Sequence, residues 1–136
     1  MKQAKQVVAK DPIEYRLLIT PKYKEREKVT VTLVALRTIT EFTNFQYEIV
    51  VEDSVEDRTI QLGIHGLRAP RMSLPKMGPA IFEKEYSDLK GKFTIIVTKL
   101  DQVENSFEVS ISKTKVVIQN GPQNQFVDIV TRQEDW

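Results

Sequence analysis

The chain has no cysteine and one histidine, His65. Without cysteine there are no disulfides, no thiolate chemistry and no cysteine-based zinc sites. With one histidine there is no site built from two histidines of one chain. Charge of either sign is also scarce in excess: 20 Lys and Arg face 19 Asp and Glu. A near-neutral chain argues against a whole-surface nucleic-acid or anionic-membrane binder. No stretch approaches the roughly 18 apolar residues of a membrane span, and Met1–Asp11 lacks the apolar run of a signal peptide. These absences, with a cysteine-free composition that fits a reducing compartment, lead us to expect a cytoplasmic soluble protein.

Long amphipathic periodicity is missing too, so no helix of more than two turns is expected. What is present is period-2 alternation. Ile13, Tyr15, Leu17 and Ile19 alternate with polar residues. Val29 to Ile39 is rich in Val, Thr and Leu. Phe45, Tyr47, Ile49 and Val51 form a third run, and Ile60, Leu62 and Ile64 a fourth. Ile81 and Phe82 mark a fifth. Gly91 to Ile118 is the organising stretch: Phe93, Ile95 and Val97, then Phe107, Val109 and Ile111, separated by a polar Asp101–Ser106 tip, read as a long β-hairpin. A lone hairpin is unstable in water, so other strands must cover it. Phe126 to Thr131 is a candidate last strand.

At 136 residues, 40% of them hydrophobic, one domain can bury roughly two-thirds of its unfolded surface and needs no staple. We expect an all-β, single-domain antiparallel β-sandwich of seven to eight strands, immunoglobulin-like, with a β-barrel as the alternative. Its parts are a flexible arm (1–12), the sandwich (13–131) and a tail (132–136). Pro21 should end the first strand, leaving 22–28 as a charged connector. If each strand reverses the last, 22–28, 52–57, 87–91 and 119–125 gather at one end, and 40–44, 66–79 and 101–106 at the other.

Residues 66–79 break the strand pattern with Pro70, Pro75, Pro79, Gly66 and Gly78. Long connections of this kind are often functional. They fall in a window, Arg58 to Phe82, with no acid. Arg68 and Arg71 offer planar forks for carboxylate or phosphate, Lys76 adds charge, and Met72 and Met77 add adaptable apolar contact. The plainer reading pairs these cations with Glu41, Asp101 and Glu104. His65 alternates with the core set and should face outward. A general-base role would need a nucleophile motif and a carboxylate partner, and no Gly-x-Ser-x-Gly exists. Calcium chemistry is admissible for the acidic 52–57 stretch, but the Asp-x-Asp-x-Asp-Gly spacing is absent. We therefore assign no catalytic residues, metal or cofactor.

The sequence supports a non-enzymatic protein–protein interaction or assembly module, using the 66–79 loop or a sheet edge, with a protein partner or a second copy as its target. The binding candidates are His65, Arg68, Arg71, Met72, Lys76 and Met77. The alternative is a β-sandwich that binds an anionic small molecule or carbohydrate at the same loop.

Overall fold

The computed structural model describes residues 12–69, 76–100 and 102–136. They form nine strands: β1 (Tyr15–Lys24), β2 (Val29–Phe42), β3 (Glu48–Glu56), β4 (Thr59–Arg68), β5 (Gly78–Tyr86), β6 (Gly91–Thr98), β7 (Glu104–Ile111), β8 (Val116–Asn120) and β9 (Val127–Val130). The all-β expectation holds; the one helical element described is a 3₁₀ turn at Gln133–Asp135.

The strands build one sheet in the order β9-β1-β2-β5-β3-β4-β6-β7-β8. The expected antiparallel pairing is corrected, because β9–β1, β5–β3 and β4–β6 are parallel. Each strand still runs opposite to its predecessor in the chain, so connections sort to two ends. The upper end carries the turns 25–28, 57–58, 87–90 and 112–115. The lower end carries 43–47, Ala69, 76–77, 99–100, 102–103 and 121–126.

The sheet curls on itself, half-barrel fashion. Leu17, Val34 and Ala80 from one part of it share a core with Ile60, Ile95 and Phe107 from the other. β5 and β3 meet at a single residue pair, Ile81 and Glu48. Above it they diverge, and Asp53 bridges the split: its carboxylate accepts from Lys84 Nζ at 2.7 Å and Tyr86 Oη at 2.8 Å. The acidic stretch is thus mostly strand, not loop, and its turn shrinks to Asp57–Arg58.

Two boundaries differ from expectation for clear reasons. β1 continues through Pro21 to Lys24. β9 flanks β1 only at residues 15–18, so at Pro21 that side holds no described strand, and proline is tolerated where no donor is needed. The long hairpin's second strand is broken at Ser112–Lys115, where Ser112 Oγ accepts the amides of Thr114 and Lys115. That side-chain turn creates β8 and moves 121–126 to the lower end.

Behind β1 and β2 lies a second, smaller apolar cluster of Leu18, Leu33 and Ala35, covered by Val130 and Trp136. The tail is therefore packed structure. Trp136 Nε1 donates to the Arg16 carbonyl at 3.2 Å, and Arg37 Nη1 donates to the Trp136 carbonyl at 3.3 Å. The 1–12 arm lies, apart from Pro12, outside the described residues.

Candidate functional site

His65 and Arg68 both lie on β4, with side chains directed to solvent. Across the β4–β3 pairing Ile64 sits opposite Val51, and Gly66 opposite Val50. His65 is the extra residue of a bulge, a device that re-aims one side chain. Its Nε2 lies 3.3 Å from Glu52 Oε1. Arg68 sits directly opposite Glu48, and its Nε and Nη2 both donate to Glu48 Oε1, at 3.0 and 2.8 Å. The two described basic groups of the window's β4 part thus have carboxylate partners. These come from β3, not from Glu41 or Glu104 as the sequence suggested; Asp101 is outside the described residues.

Arg58, at the start of the same window, holds the fold. Its guanidinium donates to the carbonyls of Lys90 and Lys92 and stacks 4.6 Å over the Phe93 ring. Arg71 and Met72 lie outside the described residues. Lys76 donates its amide to the Asn44 carbonyl. Met77, just before β5, is 67% exposed. No group of three His, Asp or Glu that could hold a metal occurs among the described residues, and no described helix is long and apolar enough to cross a membrane.

The lower end has another property. Ile13, Leu67, Met77, Leu100 and Val103 are all exposed there. Ile13 and Leu67 line a groove of about 480 Å³ between the start of β1 and the ends of β2 and β4, whose apolar wall includes Ile39 and Phe42. The groove's polar rim is fixed. Lys99 Nζ donates to Glu14 Oε2 at 2.7 Å and sits 4.6 Å over the Phe126 ring. Tyr15, at the groove wall, has its hydroxyl pKa raised by desolvation and then by Glu14, with Lys99 opposing. Phe42 and Tyr47 meet edge-to-face at 5.1 Å, which stiffens the β2–β3 connection.

Sequence reasoning named the cations of this end first. Ile13 was read as the first apolar position of the first strand, but that strand starts at Tyr15 and Ile13 is exposed; Leu100 and Val103 were missed, because each sits singly among polar neighbours. Only the topology gathers them. The chain matches no protein-family model, no curated protein and no solved structure.

Proposed function

We propose that the protein is a non-enzymatic interaction or assembly module that docks another protein with the lower end of its sheet. One observation carries this reading: five large apolar side chains from four separate segments are exposed at that end, two of them, Ile13 and Leu67, lining a groove. Clustered exposed apolar groups with a polar rim mark contact surfaces more often than isolated ones do. The anion-binding alternative at the same end is weakened, since Arg68 is engaged by Glu48 and His65 faces Glu52. We also read the packing of the two sheet portions as immunoglobulin-like, with support from the adjacency of β1, β2 and β5.

The test is light scattering across a concentration series, for wild type and for Met77→Asp/Leu100→Asp, with binding of an environment-sensitive apolar dye. Self-association or dye binding that the double variant loses is the expected result. A wild type that stays monomeric and binds no more dye than the variant would remove the basis of the reading.

A further inference from the structure

At the upper end, β2 runs past the last residue of β5. Thr32 pairs with Tyr86, and no described strand lies beyond it on that side of Thr30 and Val31. The 87–90 turn and the 112–115 turn fold over this gap. They enclose a cavity of about 180 Å³ lined by Thr30, Val31, Thr32, Asp88, Leu89, Lys90, Ser112 and Lys113.

Three features of this cavity are built rather than incidental. Thr32 is 4% exposed, and its hydroxyl has no hydrogen-bond partner among the described residues. Arg37 Nε is the one fully sealed side-chain polar atom without a partner among them. The Thr32 hydroxyl therefore opens onto the cavity it lines. Second, Lys90 and Lys113 stand at its rim without a carboxylate partner among the described residues. Third, Leu89 gives the cavity an apolar wall beside these polar groups.

We infer that this cavity is a binding site for a small organic anion. Its carboxylate or phosphate lies between Lys90 and Lys113, a hydroxyl reaches Thr32, and its carbon body rests on Leu89. Two ammonium groups against the single Asp88 carboxylate leave the wall one positive charge, which favours an anion. A few convergent polar groups on an apolar surface set orientation in small-ligand sites. The site lies at the opposite end from the docking surface and stands without it.

The experiment is an amide NMR titration at constant ionic strength with lactate, glycerol phosphate and inorganic phosphate in turn. Saturable shifts at Thr32, Leu89 and Lys113 are expected with an organic anion, and the stronger of lactate and glycerol phosphate identifies the head group. Lys90→Ala/Lys113→Ala alters exposed side chains only and should weaken that binding about tenfold or more. Thr32→Val, which keeps the side-chain shape, should weaken it severalfold. The inference is overturned if none of the three gives saturable shifts at those amides. It is equally overturned if the double lysine variant binds as wild type does, or if inorganic phosphate binds as tightly as the organic anions.

Discussion

Asn105 on β7 fastens the start of β9 across the mouth of the curled sheet. Its Oδ1 accepts the amides of Phe126 and Val127 at 2.9 and 3.1 Å, and its Nδ2 donates to the Asn124 carbonyl at 3.1 Å. The side chain is 2% exposed. β9 is four residues long and pairs with β1 alone, so this amide, beside the Lys99 contact with Phe126, joins the sheet's β9 edge to its opposite half. Asn105→Ala would leave two buried amides unpaired. We expect a loss of about 2–4 kcal/mol in urea unfolding. Hydrogen exchange at Phe126 and Val127 should accelerate more than in β3. Uniform acceleration across both strands would show that Asn105 does not act locally.

Gly91 is required twice over. Its φ is +97°, and a Cβ there would meet Arg58 Nη2 at 2.5 Å. The Arg58 guanidinium is already committed to the Lys90 and Lys92 carbonyls. Gly91→Ala should cost about 1–3 kcal/mol. Adding Arg58→Ala removes the clash and leaves the backbone strain, so the two changes should be non-additive in a double-mutant cycle. Strict additivity would mean that the side chains do not meet.

The Asp53–Lys84–Tyr86 group predicts how stability varies with pH. Burial pushes the Asp53 carboxyl up, but the hydrogen bonds from Lys84 and Tyr86 outweigh it, and the pKa ends below its ordinary value. A lowered carboxyl pKa contributes stability above the unfolded value, lost as pH falls through the folded one. That loss falls below about pH 4. Glu85, lowered by Lys24 and Lys22, adds to the same limb. Tyr86 is raised by burial and by Asp53. Its contribution is complete below about pH 10 and is lost as pH rises through the folded value. Asp53→Asn should flatten the acid limb of the stability–pH curve. Tyr86→Phe should flatten part of the alkaline limb, with Tyr15 supplying the rest. An acid limb unchanged in Asp53→Asn would rule out the assignment.

These groups show what the sequence discloses and what it withholds. Strands and the alternation of their directions follow from period-2 patterning, which is local. The core positions Ile60, Leu62, Ile64, Phe93 and Phe107 were legible on that basis and are buried. Parallel pairing was not, because it depends on which distant strands become neighbours. Nor was the burial of Tyr86, whose hydroxyl reaches Asp53 where β3 and β5 split. The break before β8 lacks glycine and proline, and only the Ser-Lys-Thr-Lys run could have signalled it. Asn105 did leave a signal: it falls in phase with Phe107, Val109 and Ile111, a polar residue on a core face. The exposed apolar residues of the lower end left little, since apart from Met77 they are scattered over 90 positions of the chain, from Ile13 to Val103.

His65 and Arg68 test whether the acid-free window has a structural purpose. Both face carboxylates, yet all four side chains are at least half exposed. Exposed ion pairs contribute little. Arg68→Ala and His65→Ala should each shift unfolding stability by less than about 0.5 kcal/mol. A larger loss from Arg68→Ala would make the Glu48 pair part of the fold's support.

Trp136 is the chain's only tryptophan, so its fluorescence reports one contact. The indole covers Leu18, Leu33 and Ala35 on the outer face of β1 and β2 and donates to the Arg16 carbonyl. A packed, hydrogen-bonded indole should emit at shorter wavelength than in the unfolded chain. Trp136→Ala exposes that apolar cluster, and we expect about 1–3 kcal/mol of destabilisation, less than for a fully enclosed tryptophan. Leu33→Ala should shift native emission toward that of the unfolded chain, because it removes the surface on which the ring rests. Leu62→Ala, on the opposite face, should lower stability by a similar or larger amount and leave native emission unchanged. If Leu62→Ala also red-shifts the native spectrum, Trp136 is reporting the main core, and the tail is not a separate layer on the outer face.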